Sequence, residues 1–281
     1  MSKTIITCDS TADLTPELYT KYNIKVVPLC ITLGDELRRD GIDVTCKDVF
    51  DFVDASGMLP KTSAVSVGEY EDIFRTLVEE GCEVLHISLS SHLSSSNQNA
   101  RLAAEEVGSV WVVDSLNLSS GTGHLVLLAR ELIDSGKTAA EAAAILEQLR
   151  EKLDVSFVLQ TLEFLHKGGR CSGVAAFGAN LMKLRPEIEV CGGKMQVGRK
   201  YRGTMEKTIL SYIRGRLEGR DDIRTDRIFI THSGVPQDIE DKAVALVKEL
   251  HPFKEVLVTK AGCTISSHCG PNCLGVLFLK K

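Results

Sequence analysis

The sequence is short of aromatic residues, which fill 5% of 281 positions as one Trp, five Tyr and nine Phe. It is also short of positive charge: 33 Lys and Arg against 38 Asp and Glu leave a net charge of −5. A chain with few stacking rings and a net negative charge lacks the broad phosphate-neutralising surface and base platforms of a nucleic-acid binder. No apolar run approaches the ~20 residues that a helix needs to span a bilayer, so no stable membrane insertion is expected. The opening Met1-Ser2-Lys3-Thr4-Ile5-Ile6 lacks a basic region followed by an apolar stretch, so the expected location is the cytoplasm. Three signature loops are missing as well. There is no Gly-rich loop ending in Gly-Lys-Ser/Thr, no Gly-x-Gly-x-x-Gly with a downstream acid, and no Gly-x-Ser-x-Gly elbow.

What is present is ordinary for a soluble globular protein: 43% apolar and 25% charged residues, enough chain for one large domain or two modest ones. Cysteine is plentiful, at nine. Without an export signal these are expected to stay reduced and to fill core positions, so no disulfide framework is expected.

Up to about residue 154, short apolar strands alternate with amphipathic helices. Strands are expected at Thr4–Cys8, Lys25–Leu33, Glu83–Ser88 and Val110–Val113. Helices are expected from Thr15-Pro16-Glu17 onward, at Thr45–Ala55, from Gly68 or Glu69 to Glu80, and at Ser94–Val107, Gly121–Ser135 and Thr138–Leu153. Such alternation predicts a parallel sheet covered on both faces. Beyond it the texture changes. A strand at Val155–Gln160 is followed by a helical piece at Leu162–His166 and a hairpin around Gly192-Gly193. Helices follow at Met205–Leu217 and Gln237–Leu250, with strands at Arg227–Ser233, Glu255–Thr259 and Gly275–Leu279. Hairpins favour antiparallel pairing, so a mixed sheet is expected here. The expectation is an α/β chain of two domains, residues 1–155 and 156–281, with a ligand cleft between them.

The chemistry-bearing segments are few. Ser88-Leu89-Ser90-Ser91-His92-Leu93-Ser94-Ser95-Ser96-Asn97-Gln98 leaves a strand and enters a helix. Unpaired N–H groups and hydroxyls there could cradle a carboxylate or phosphate, or simply cap the helix. Pro60-Lys61-Thr62-Ser63-Ala64-Val65-Ser66 is a second hydroxyl cluster that reads as a capping segment. Asp114-Ser115-Leu116-Asn117-Leu118-Ser119-Ser120-Gly121-Thr122-Gly123 is a third, its glycines permitting close backbone approach. The tail Ser266-Ser267-His268-Cys269-Gly270-Pro271-Asn272-Cys273 could enlist Cys263, His268, Cys269 and Cys273 around a metal. The Cys-x-x-x-Cys spacing and adjacent His-Cys suit a hydrogen-bonding His268 on a Gly-Pro turn better, so no metal is assigned. Leu165-His166-Lys167-Gly168-Gly169-Arg170, with Arg199, Lys200 and Arg202 downstream, forms a local basic patch.

In order along the whole chain, these segments resemble the DegV family of bacterial fatty-acid-binding proteins. The resemblance rests on Asp9-Ser10-Thr11-Ala12-Asp13-Leu14, Lys61-Thr62-Ser63, Ile87-Ser88 through Leu93-Ser94-Ser95-Ser96 to Gln98, Val113-Asp114-Ser115, Leu165 to Arg170, and His268 with Gly270-Pro271. It implies a three-layer α/β/α domain with a parallel sheet and a two-layer α/β domain with a mixed sheet. One long-chain fatty acid such as palmitate would lie between them. It implies no cofactor besides that ligand, and no catalysis by the chain alone. The bound acid would be presented to a separate ATP-binding fatty acid kinase subunit for conversion to an acyl phosphate. Carried over by position, Thr62 and Ser94 would hold the carboxylate with help from Ser63 and Ser95. His268 would stand beside it, and Arg170 and Arg202 would face the kinase subunit. The chain departs from the usual Leu-Ser-Gly-Thr-Tyr-Gln at Ser95-Ser96-Asn97, and Cys269 and Cys273 are additions. The alternative from the residues alone is an enzyme acting on a small anionic substrate at the Ser-rich helix start.

Overall fold

The computed structural model describes residues 3–171 and 185–281. In chain order its elements begin with β1 (Lys3–Asp9), α1 (Pro16–Lys21), β2 (Ile24–Val27), β3 (Cys30–Leu33), β4 (Glu36–Arg39), α2 (Cys46–Ser56) and β5 (Lys61–Ser63). Next come α3 (Val67–Glu79), β6 (Cys82–Ser88), α4 (Ser96–Val107), β7 (Val110–Asp114), α5 (Ser119–Asp134), α6 (Ala139–Leu149), β8 (Leu153–Val158) and α7 (Glu163–Gly168). The last are β9 (Arg185–Cys191), β10 (Lys194–Tyr201), α8 (Met205–Leu217), β11 (Ile223–His232), α9 (Gln237–Leu250), β12 (Glu255–Lys260), α10 (Cys263–Cys269) and β13 (Leu274–Lys280).

The parallel sheet has the order β2-β1-β6-β7. Both β1 and β6 are buried along nearly their whole length, as parallel strands covered on two faces must be. Helices α3 and α4 pack as a pair against β6 and β7, and α5 and α6 as a second pair against the same sheet. The second sheet has six strands in the order β10-β9-β8-β13-β11-β12, antiparallel except for β11 and β12. Its helices α8 and α9 pack together over one face, around Tyr212, Ile213 and Phe278. The expected α/β architecture of a parallel and a mixed sheet is therefore present. The hairpin also forms where expected, with Gly192 and Gly193 at φ +54° and +79°.

Helix α5 joins the two sheets. It touches β1 and β6 on one side and β8, β11 and β13 on the other. Ser119 to Ala129 are all buried, unlike a surface helix with one apolar stripe. His124 Nε2 lies 3.0 Å from the Leu277 carbonyl, and a Cβ at Gly121 would meet Val155 and Asn117. A Cβ at Gly123 would meet the Ala12 carbonyl. The glycines expected to permit close backbone approach do so for packing, Gly121 against Val155 of β8 and Gly123 against Ala12 and Leu14 after β1.

Three expectations need correction. Lys25–Leu33 is not one strand: the chain breaks after Val27 at Pro28, so β2 stays in the parallel sheet while β3 leaves it. Strand β3 centres a small antiparallel sheet, β4-β3-β5, that sequence reading lacked. The helix expected over Thr138–Leu153 ends at Leu149 in a short 3-10 turn, and Leu153 already belongs to β8.

Candidate functional site

The opening Asp-Ser-Thr-Ala-Asp run begins at Asp9, the last residue of β1, and acts as scaffolding. The Asp9 carboxylate, fully buried, accepts from the Tyr70 hydroxyl and from the Leu89 N–H at 2.8 Å, which fixes the start of the Ser-rich loop. Asp13, in the left-handed region at φ +49°, accepts from Ser119 Oγ and from the Gly262 N–H at 2.9 Å. Asp40 accepts from the N–H groups of Cys263 at 3.0 Å and Thr264 at 3.2 Å. Helix α10 therefore begins on two buried carboxylates from the far end of the chain. They satisfy amide donors that its own turn leaves open. Burial pushes the Asp13 carboxyl well above the ordinary Asp range.

So held, α10 presents His268. The tail is not a turn at this residue, as the spacing suggested, but the last helical turn before Gly270. Thr62, on β5, pairs in register with Ile31 of β3, and this strand carries it to α10. The Thr62 Oγ1 to His268 Nε2 distance is 2.8 Å. The other ring nitrogen, Nδ1, faces Gly168, where an added Cβ would overlap it. This explains the first glycine of Lys167-Gly168-Gly169-Arg170, since only a bare α-carbon leaves room for the imidazole. Gly169, at φ +70°, closes α7 in the left-handed conformation that favours glycine. The turn then carries Arg170, whose Nη1 donates to the Gly168 carbonyl at 2.7 Å, to the rim of the cleft.

The cleft brings together Thr62, Ser63, Ser94, His268 and Arg170 at one end, with about 520 Å³ of empty space, mouth included. Apart from Thr264, its remaining wall is apolar, with Leu29, Leu89, Leu118, Met195 and Ile265 among its residues. A second, almost wholly apolar cavity adjoins it, sharing Leu118, Ile265 and Cys269 and reaching Phe157, Cys273 and Leu277 under the mixed sheet. Cys269 and Cys273, unexplained in the sequence, thus line the apolar wall. Burial first, and then the nearby Arg170 guanidinium, push His268 down to about 4, so its ring is neutral near pH 7. A neutral imidazole can donate from Nε2 to the Thr62 oxygen and leave the threonine hydrogen free for an acceptor in the cleft.

The serines divide by role. Ser88 and Ser90 are buried and committed: Ser88 accepts from Asn97 Nδ2 at 2.7 Å, and Ser90 donates to the Gly193 carbonyl at 2.8 Å, tying the loop to the hairpin turn. Ser94 accepts from the Ser96 N–H at 3.1 Å at the start of α4 and also lines the cleft. Ser95 is exposed and does not line it. Arg202 is exposed just past β10. The adjacent Gly203 carbonyl accepts from Arg185, which also reaches Gln160, and Gln160 meets Asn272. That chain of contacts sets Arg202 at the sheet end from which α7 and Arg170 depart. Sequence reading missed Asp13 and Asp40 as organisers of the site. The only signal was their buried setting, which needs the tertiary fold.

All nine cysteines are free thiols. Among the described residues no group of three or more His, Cys, Asp and Glu side chains is placed to hold a metal, and no helix is long and apolar enough to cross a membrane.

The DegV family model, described as an uncharacterised protein family, matches residues 3–281. A DegV domain-containing protein of Deinococcus radiodurans is 31% identical over 281 residues, covering 98% of each chain. Among solved structures, a fatty-acid-binding DegV family protein from Thermus thermophilus superposes with a TM-score of 0.88 at 34% identity, over 99% of this chain and 100% of that one. A DegV lipid-binding protein from Thermotoga maritima gives 0.87 at 27% identity, over 99% and 98%.

Proposed function

This chain belongs to the DegV family, and on that premise we propose that it binds one long-chain fatty acid in the cleft, as a carrier working in the cytoplasm. The carrying observation is a small polar end, made by Thr62, Ser94 and His268, set against a mainly apolar wall with a second apolar cavity adjoining it. The Thr62 and Ser94 hydroxyls would donate to the carboxylate, Ser63 would assist, and Arg170 would supply positive charge at the rim. Burying a carboxylate without partners costs several kcal/mol, and these donors offset that cost. Each methylene buried along the apolar wall adds roughly 0.8 kcal/mol. Relatives that bind fatty acid or lipid support the same reading.

The finer part of the proposal is presentation of the bound carboxylate to a separate ATP-binding kinase subunit, with the chain itself contributing binding rather than catalysis. Arg170 stands at the mouth and Arg202 at the same sheet end, both exposed, where an anionic or phosphate-bearing partner surface would meet them. The Thr62–His268 pair could suggest a nucleophile and its base, acting on a small anionic substrate. However, a base needs a partner that orients its second nitrogen. His268 Nδ1 has none among the described residues, and the ring's low basicity disfavours that role.

The test is native mass spectrometry and solvent extraction of the purified protein, followed by melting with added palmitate or oleate. A co-purified acyl chain, or a rise of several degrees at saturating ligand, is the expected result. Finding neither would end the carrier reading.

A further inference from the structure

Away from the polar end of the cleft, two cysteines from opposite ends of the chain meet. Cys46 is the first residue of α2 and Cys263 the first of α10, and their sulfurs lie 3.8 Å apart. A disulfide needs about 2.05 Å between sulfurs, so closure asks for an approach of roughly 2 Å. Around the pair, Cys46 Sγ lies 3.2 Å from the Ala261 carbonyl and 3.5 Å from Ser266 Oγ, while Cys263 Sγ donates to the Val44 carbonyl at 3.3 Å. Cys46 is partly exposed and Cys263 buried. The contact with Cys263 first, and then that with Ser266, lower the Cys46 thiol to about 7 against the opposing cost of burial. The same contact, and burial, push Cys263 up. Cys46 is thus the less buried and the more readily ionised of two adjacent thiols, the asymmetry that suits an attacking and a resolving thiol.

We propose that Cys46 and Cys263 form a reversible, peroxide-driven disulfide that tethers α10 to α2 and slows ligand exchange in the cleft. The Cys46 thiolate attacks one oxygen of hydrogen peroxide, the O–O bond breaks, and the departing hydroxide takes a proton to become water. The Cys263 sulfur then attacks the resulting sulfenic sulfur as its thiol proton passes to the departing hydroxide. An S–S bond forms, an S–O bond breaks, and a second water leaves. Two thiols lose two electrons in total, and peroxide gains them. Helix α10 supplies Thr264, Ile265, His268 and Cys269 to the cleft wall, and on this proposal a buried ligand enters or leaves by motion of that wall. A covalent tie at its first residue restrains that motion. This consequence rests on the fatty-acid reading, whereas the disulfide itself does not.

The experiment treats the reduced, full-length protein with a small excess of hydrogen peroxide and maps its peptides without reduction. In parallel, release of a preloaded fluorescent fatty acid is timed before oxidation, after it, and after dithiothreitol. The expected result is a Cys46–Cys263 linked peptide, two hydrogen atoms lighter than its parts, and release slowed several-fold until dithiothreitol restores it. Cys46→Ser and Cys263→Ser should each show neither effect. If Cys263→Ser misfolds, Cys263→Ala serves in its place. Failure to find that linked peptide, or linked protein releasing ligand at the reduced rate, overturns the proposal. A linked peptide in a protein that holds no fatty acid overturns the binding reading and the gating, and leaves the disulfide standing.

Discussion

The Thr62 hydroxyl and the His268 imidazole are 206 positions apart in sequence, yet their Oγ1 and Nε2 atoms are 2.8 Å apart at the polar end of an apolar cleft. That contact links two of the residues that line the proposed site. It joins a three-residue edge strand to a seven-residue helix, and neither element would be stable alone.

Replacing Thr62 with Ala removes a hydroxyl that would donate to a carboxylate. Such a bond to a charged group contributes about 1.5–3 kcal/mol, so fatty-acid affinity should fall roughly ten- to a hundredfold. Adding Ser94→Ala should lower it further, while Thr62→Ser should restore most of it. Displacement of a fluorescent fatty acid measures all three. Unchanged affinity in the double variant would remove these hydroxyls from the head-group site.

The two adjacent glycines of the Lys167–Arg170 turn should respond differently. At Gly168 a methyl group overlaps the His268 ring, so Gly168→Ala should expel the imidazole, costing about 1–3 kcal/mol of stability and weakening ligand binding. At Gly169 there is open space, and only the positive φ is strained, so Gly169→Ala should cost about 1 kcal/mol and spare binding. Thermal melts together with ligand titrations separate the two. Equal effects on binding would show that the His268 contact is not what Gly168 protects.

Arg170 and Arg202 should also separate. Arg170 lines the cleft, so Arg170→Ala should lower fatty-acid affinity several-fold and weaken its dependence on salt. Arg202→Ala should leave affinity unchanged and reduce acyl phosphate formation with the kinase subunit. Calorimetric titration at two salt concentrations, with a coupled phosphorylation assay, reads both. Loss of ligand binding in Arg202→Ala would place that residue in the wrong role.

His124 makes the fold acid-sensitive. Burial pushes it from about 6.5 down to about 3, while its ring spans from α5 to the Leu277 carbonyl. The unfolded chain then takes up a proton that the folded chain refuses. The stability is therefore complete above the unfolded value and is lost as pH falls from about 6.5 toward 3. Over the two pH units below 6.5 this amounts to roughly 2–3 kcal/mol. Denaturant melts of His124→Gln should show a shallower loss between pH 6.5 and 4.5 than the parent. His268, lowered to about 4, would supply part of the remaining slope. Parallel pH profiles would refute the assignment.

Amphipathic elements were readable in sequence. Helices α8 and α9 run over Met205–Leu217 and Gln237–Leu250, as their apolar spacing predicts, and Gly192-Gly193 turns the hairpin where two glycines allow positive φ. The small sheet and α10 were not readable. Strand β5 is too short to show an alternating pattern, and Cys263-Thr264-Ile265-Ser266-Ser267-His268-Cys269 is poor in strong helix formers. Helix α10 exists because Asp13 and Asp40 satisfy its first amides, which is a contact across more than 220 residues.

The chemistry on offer is therefore legible in the amino-acid order alone: the hydroxyls, the imidazole, the arginines, the apolar strands, and the succession in which they occur. These are local properties, set by residue type and short-range periodicity. Which of them meet is set by the fold. It committed Ser88 and Ser90 to scaffolding, turned Ser95 outward, and set Cys46 against Cys263. The reason is physical. Buried carboxylates and amides must find partners wherever the chain brings them, and a glycine's role depends on what packs against it.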